Sequence, residues 1–345
     1  MSLSLPHIGA LPAGTRNSIT DVAGVTVGHA TLAGGAIQTG VTVVRPHAGD
    51  PFLDKVPAAS VVLNGFGKSI GLVQVEELGV LETPIALSNT FAVGAMAQAQ
   101  IRQAVAANPQ IGRAWSTVNP LVFECNDGYL NDLQAFAVQD VHYDAAYAAA
   151  AETFEQGAVG AGRGMSSFGV KGGIGSASRV VTLADGTQRT VGVLVLSNFG
   201  VTENLTLAGR NVGAELAKAL AAGRPAPTPE PEKGSIIMLL ATDAPLDARQ
   251  LRRLALRAGA GLARTGSVFG HGSGDIALAF STAYTVPHEG ARAMPAVAMT
   301  HESHLDPLFQ AAADSVEQAI VHALFRAAAV TGRDGNTRRA LTELI

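Results

Sequence analysis

"RPAPTPEPEKGSIIMLLATDAPL" (residues 224–246) changes character halfway along. Prolines at 225, 227, 229 and 231, set among charged residues, describe an extended, exposed tether over 224–233. Gly234-Ser235 then hands over at once to Ile236, Ile237, Met238, Leu239 and Leu240, a run too apolar for a sheet edge. A proline tether ordinarily marks a domain boundary. Here the segment behind it opens on an interior strand, so residues 1–345 read as a single folded unit whose chain loops out and returns to the centre of a sheet.

Outward from that strand, short β-branched runs alternate with glycine-rich turns and alanine-rich helices. Strands are expected at 39–46, 58–65, 83–90, 119–127 and 275–283. A hairpin is expected over 178–200, turning at Asp185-Gly186. Helices are expected at 91–109, 144–156, 206–223 and roughly 306–330. Another should begin near Asp247, where Gln250 three residues on resembles a capping box and Leu251, Leu254, Ala255, Ala258 and Leu262 share one face.

Composition narrows the functional classes. Apolar residues make up 47% of the chain and charged ones 15%, as in a tightly packed globular enzyme. A net charge of −4 with five lysines supplies no basic footprint for nucleic acid. No apolar run reaches the ~18 residues of a membrane span. The opening "MSLSLPHIGALPAGTR" reads as a poor secretory signal, and the single Cys125 allows no intrachain disulfide. A cytoplasmic location is the resulting expectation.

Several stretches imitate known motifs. "VLNGFGKS" ends like a phosphate loop but has Val62 where the first glycine belongs. "GKSIG" (67–71) matches the Gly-x-Ser-x-Gly elbow and makes Ser69 a rival nucleophile, as in a conventional esterase. "GVKGGIGSASR" (169–179) is either an anion cradle or a turn feeding the hairpin, and these glycine loops leave a nucleotide- or anion-binding protein open. "HESH" (301–304) lacks helical i, i+4 spacing, and Cys125 behaves as a small core residue. No cofactor and no metal are expected.

Gly234-Ser235 carries the sharper chemistry. Cutting the bond before Ser235 would place a hydroxyl and an α-amine on one residue, and such an amine, with pKa about 7.7–8.0, is a competent base near neutrality. "GHGSGDIAL" puts Ser273 and Asp275 at i, i+2, on one face of an extended strand, where a hydroxyl and a carboxylate can support Ser235. His271 would join that face, so a conventional Ser235–His271–Asp275 triad is the alternative, weakened by the glycines at 270, 272 and 274.

Taken together, "NSITDVAGVTVGH", "NGFGKSIGLVQVEELGVLETPI", "ECNDGYLND", "FGVKGGIGSASR", "LVLSNFG", "KGSIIMLLATDAPL" and "SGDIALAFSTA" resemble the L-aminopeptidase/D-esterase and β-peptidyl aminopeptidase family, serine hydrolases that cut themselves. The resemblance covers nearly the whole chain. It implies an α/β (α+β) fold, an αββα four-layer sandwich of the N-terminal-nucleophile-hydrolase type. It also implies cleavage between Gly234 and Ser235 into 1–234 and 235–345, with Ser235 as nucleophile and base. Ser273 and Asp275 would support it, Asn198 would donate to the oxyanion, and Tyr129 would lie in the substrate site. Glu124 or Asp127, beside Tyr129, is the candidate counter-charge for a substrate amine. Substrates would be small peptides, amino-acid amides or esters, and the enzyme a homo-oligomer, often a tetramer, of processed units. Cys125 and the helix "VEQAIVHAL" depart from the family pattern.

Overall fold

The computed structural model describes residues 4–222 and 233–345, with only the main chain of Lys233. Of the tether expected at 224–233, residues 224–232 lie outside the described residues. Lys233 itself belongs to the strand that follows, so the strand starts one residue before Gly234.

The principal strands are β1 (Thr26–Gly34), β2 (Ile37–Arg45), β3 (Asp54–Gly65), β4 (Ser69–Ile70), β5 (Ile85–Asn89), β6 (Leu121–Cys125), β7 (Gly173–Thr182), β8 (Gln188–Asn198), β9 (Lys233–Thr242) and β10 (Gly272–Ser281). The helices are α1 (Leu72–Leu78), α2 (Val93–Ala107), α3 (Asp140–Ala148), α4 (Gly213–Ala221), α5 (Ala248–Leu256), α6 (Ala258–Arg264) and α7 (Leu305–Phe325). One sheet has five strands in the order β1-β2-β5-β6-β4. The other has seven, running β7-β8-β9-β10-β3 and completed by the short pairs Val286–Pro287 and Val80–Leu81 on β3.

Alternation along the strands decides how these sheets stack. Ile237 and Leu239 face Leu121, Phe123 and Leu87 of the five-stranded sheet in one apolar layer. Ile236, Met238 and Leu240 point the other way, against Leu254 of α5, Leu262 of α6 and Val316 of α7. The outer face of the five-stranded sheet buries Val41, Val43 and Ala86 under Met96 of α2 and Tyr143 of α3. The sequence of layers is therefore helix, sheet, sheet, helix, the sandwich implied by the resemblance.

β9 occupies the place its composition demands, in the interior of the seven-stranded sheet, antiparallel to β8 and parallel to β10. Every side chain from Ile236 to Ala241 is at most 1% exposed. Burying an aliphatic side chain this fully stabilises by about 1.5–3 kcal/mol, which anchors the strand whatever happens upstream of it.

Three helical expectations need correction. The helix expected at 144–156 is α3, four residues earlier; beyond Ala149 the chain turns extended and Ala151 pairs with Val27. The segment expected as one helix from 206 begins with a tight hairpin, Thr206–Leu207 against Arg210–Asn211, and only Gly213–Ala221 is helical. Asp247 does form its capping box with Gln250, but the helix breaks at Arg257 into α5 and α6.

Candidate active site

Five elements deliver their ends to one edge of the sandwich: β3 at Asn64–Gly65, β6 at Glu124–Cys125, β8 at Asn198, and the starts of β9 and β10. Register places Asn198 opposite Ser235 on one side and Gly274 opposite it on the other. Ser235 is buried. Its hydroxyl donates to the carbonyl oxygen of Gly234 at 2.6 Å and accepts from the Gly274 N–H at 3.3 Å.

Two glycines make this arrangement possible. A Cβ on Gly274 would lie 3.0 Å from the Ser235 hydroxyl and 2.9 Å from the Phe66 carbonyl oxygen. A Cβ on Gly234 would lie 2.4 Å from the Asn198 carbonyl oxygen. The residue after the proline tether is thus glycine because β8 leaves no space for anything larger.

Ser273 and Asp275 are joined as their i, i+2 spacing predicts: the Ser273 hydroxyl donates to Asp275 Oδ1 at 2.6 Å. Both are fully buried and flank Gly274 in β10. Since the Gly274 side-chain position points at the Ser235 hydroxyl, alternation sends Ser273 and Asp275 to the opposite face of the strand. His271 does not join them. It is exposed, precedes β10, and packs its ring against Phe66 at 6.1 Å.

The Asn198 side chain is held at both ends. Its Oδ1 accepts from the Ser166 N–H at 2.8 Å, and its Nδ2 donates to the Asn126 carbonyl at 3.0 Å. An amide nitrogen has two hydrogens, so one such contact leaves a second donor. Tyr129 follows Asn126 by three residues and is 40% exposed, with the Arg338 guanidinium 3.7 Å from its ring centroid.

Glu124 and Asp127, both buried, occupy different surroundings. Glu124 accepts from the Lys68 N–H at 2.9 Å and from the Thr90 hydroxyl. It stands behind Gly67, whose side-chain position is 3.6 Å from Glu124 Oε1 and 3.4 Å from the Gly274 Cα. Asp127 accepts from Asn131 Nδ2 at 3.0 Å, and burial pushes its carboxyl up to about 7. Close by, burial pushes the Lys171 ammonium well below its ordinary value, while its three protons go to the carbonyls of Gly162, Met165 and Gly172.

The rival motifs resolve into structure. β4, which carries Ser69, is a two-residue edge strand paired with β6, and Ser69 is only half-buried. The glycine-dense loop at 169–179 enters the β7–β8 hairpin, and a Cβ on Gly175 would lie 1.9 Å from the Ala319 carbonyl of α7. A backbone, not an anion, fills that space. Glu302 of "HESH" is engaged by Arg249, Arg253 and Gln250. Among the described residues no group of three or more His, Cys, Asp or Glu converges as a metal set would. Cys125 is fully buried with its thiol pushed up by burial, first, and by Glu124 and Asp275; its sulfur faces the Leu196 carbonyl at 3.6 Å.

Residue-by-residue reading missed Gly274, Gly67, Asn126, Ser166 and Arg338. Gly274 had a signal, since a glycine inside an otherwise good strand marks close approach of another group. Ser166 and Arg338 had none, because their contacts cross 172 residues of sequence.

Known peptidases resemble this chain along nearly its whole length. The sequence profile of Peptidase family S58 matches residues 17–338. A β-peptidyl aminopeptidase of Sphingosinicella microcystinivorans is 40% identical over 358 aligned positions, covering 98% of this chain and 88% of its own. Among solved structures, a protein of Pyrococcus horikoshii superposes with TM-score 0.90 at 47% identity, over 97% of this chain and 94% of that one. The L-aminopeptidase D-Ala-esterase/amidase of Ochrobactrum anthropi, described as a serine aminopeptidase and a variant of the Ntn hydrolase fold, superposes with TM-score 0.88 at 34% identity, over 98% and 94%.

Proposed function

This chain belongs to peptidase family S58, and on that footing we propose that it matures by cutting its own Gly234–Ser235 bond and then uses Ser235 as an N-terminal nucleophile. It is a hydrolase, an aminopeptidase. The observation that carries the self-cutting step is the Ser235 hydroxyl resting 2.6 Å from the Gly234 carbonyl oxygen. Addition of the hydroxyl oxygen to the Gly234 carbonyl carbon expels the Ser235 nitrogen, which takes up the hydroxyl proton, and leaves an ester. Water then hydrolyses the ester, giving a Gly234 carboxylate and a free Ser235 α-amine.

In turnover, the α-amine takes the hydroxyl proton as the oxygen attacks the carbonyl of a substrate's N-terminal residue, and passes it to the leaving amine. Asn198, with one Nδ2 hydrogen still to offer, donates to the oxyanion. Ser273 and Asp275, on the far face of β10 from the hydroxyl, serve the main-chain nitrogen that becomes the amine. Glu124, behind Gly67 and next to the nucleophile's strand, is the better-placed counter-charge for the substrate ammonium. Asp127 anchors the loop carrying Tyr129. Short peptides, amino-acid amides and esters, of α- or β-residues, are the substrate class. A cytoplasmic homo-oligomer, a tetramer of two-chain units, completes the reading; light scattering of the purified protein checks the assembly.

The deciding experiment is intact mass under denaturing conditions, wild type beside Ser235→Ala. Two polypeptides meeting between Gly234 and Ser235 in the wild type, and one uncut chain in the variant, are expected. A variant that still cuts itself would remove Ser235 from the mechanism.

A further inference from the structure

We propose that Arg338 is a positioning residue for the reaction, holding the Tyr129 ring and, through Ser166, the Asn198 amide in one frame. The proposal rests on the assignment of Ser235 and Asn198 above and adds to it a residue from the far end of the chain.

The contacts close a ring. The Arg338 guanidinium lies 3.7 Å from the Tyr129 ring centroid. Its Nε donates to the Ser166 hydroxyl at 3.2 Å. The Ser166 N–H donates to Asn198 Oδ1 at 2.8 Å, and Asn198 Nδ2 donates to the Asn126 carbonyl at 3.0 Å. Three residues of main chain then lead from Asn126 back to Tyr129. Turning the Asn198 amide would cost the Ser166 contact, and swinging the Tyr129 ring would uncover the guanidinium.

The neighbouring residues of the same segment reinforce the frame. Asn336 Nδ2 donates to the Tyr129 carbonyl at 3.0 Å, and the Arg333 N–H to the Leu130 carbonyl at 2.8 Å. The Lys171 N–H donates to the Arg339 carbonyl at 2.9 Å, tying the segment to the strand-turn that holds Ser166. A ring as exposed as that of Tyr129 needs a partner across one face to be held in place. Arg338 can stack its plane there and donate from its edge at the same time, which the point charge of a lysine cannot do. The frame also spans the proposed cut. Arg338 lies in 235–345, whereas Tyr129, Ser166 and Asn198 lie in 1–234, so the link between the Tyr129 ring and Ser166 is complete only when both pieces are docked.

The test uses wild type, Arg338→Ala, Arg338→Lys, Ser166→Ala and Tyr129→Leu, with Ser235→Ala in parallel. Processing is scored by intact mass, folding by Tm, and turnover by kcat and KM on an aminoacyl p-nitroanilide. Arg338→Ala should process and keep its Tm to within a few degrees while kcat falls, by as much as ~10²-fold, the scale of a small misplacement of catalytic groups. Lysine should not restore kcat, whereas added guanidinium ion should restore part of it to Arg338→Ala. The Arg338→Ala/Tyr129→Leu double variant should lose less than the product of the single losses. Full kcat in Arg338→Lys, independent multiplication in the double variant, or losses that follow Tm alone would overturn the proposal. If Arg338→Ala does not fold, Arg338→Lys and Ser166→Ala decide by the same readings. Turnover by Ser235→Ala would instead overturn the nucleophile assignment, separately from the Arg338 couplings.

Discussion

Ser69, inside "GKSIG", and Ser235, in "KGSII", are the two rival serines of this chain, and only the first matches the Gly-x-Ser-x-Gly nucleophile pattern. Ser69 sits on a two-residue edge strand before the seven-residue α1. Ser235 sits on a ten-residue strand flanked on both sides, with its hydroxyl on the preceding carbonyl and a neighbouring N–H on its oxygen. A nucleophile needs a fixed position and groups converging on it, and the depth of a strand in its sheet supplies both. The loop around Ser69 is not idle, however. Gly67 lies against Gly274, and Lys68 ties the loop to Glu124, so the motif around Ser69 forms a wall of the site proposed for Ser235.

The contrast can be broken most directly by exchanging the roles of the two serines. Ser235→Ala should abolish self-cutting and reduce turnover by on the order of 10⁴–10⁶, whereas Ser69→Ala should leave both within a few-fold; mass and p-nitroanilide release read both. Asn198→Ala comes next, with kcat lower by ~10²–10³ from loss of one oxyanion donor and KM little changed. Gly274→Ala sharpens the steric half of the comparison: its methyl would stand 3.0 Å from the Ser235 hydroxyl, and a rate loss of about 10² is expected in a folded protein.

The smallest effect concerns the scaffold that both serines share. His29 and His322 are each held neutral, burial pushing both to about 4. His322 faces the Ser176 carbonyl through Nδ1 at 2.6 Å, and His29 contacts the Glu155 carbonyl through Nε2 at 3.0 Å. Their folded values lie below the unfolded 6.5, so the unfolded chain takes up protons first as pH falls. Stability should be unaffected by these two groups above pH 6.5 and decline progressively from there towards 4. Denaturant melts across that range, flattened in His322→Gln, measure it.

What the sequence disclosed follows the range of the forces involved. The strand at 236–241, the hairpin turning at Asp185-Gly186 and the Asp247 cap are local, set by alternation, turn residues and side chain-to-backbone bonds within a few positions. So was the Ser273–Asp275 pair, because i, i+2 on a strand needs no knowledge of the rest. Helix limits fared worse where alanine persisted past the end of burial. Residues 149–156 keep a helical composition, yet Ala151 is taken by Val27 of β1 and the chain goes extended. The roles proposed for Asn198 and Tyr129 rest on family resemblance alone, since nothing near them in sequence announces a neighbour. The partners that fix Asn198 lie 32 and 72 residues away.

β9 and β10 lie side by side, with β8 beyond one and β3 beyond the other. Cutting before Ser235 would therefore leave a shorter polypeptide whose β9 and β10 run between β8 and β3 of the longer one, with its Val286–Pro287 strand on the far side of β3. The two pieces have no route to separate short of tearing two strand seams and two apolar layers. Having separated, they would face a bimolecular search to rejoin, at concentrations far below the effective one a peptide bond provides. Maturation would thus trade a protein able to refold for one whose lifetime is set by how slowly it first comes apart.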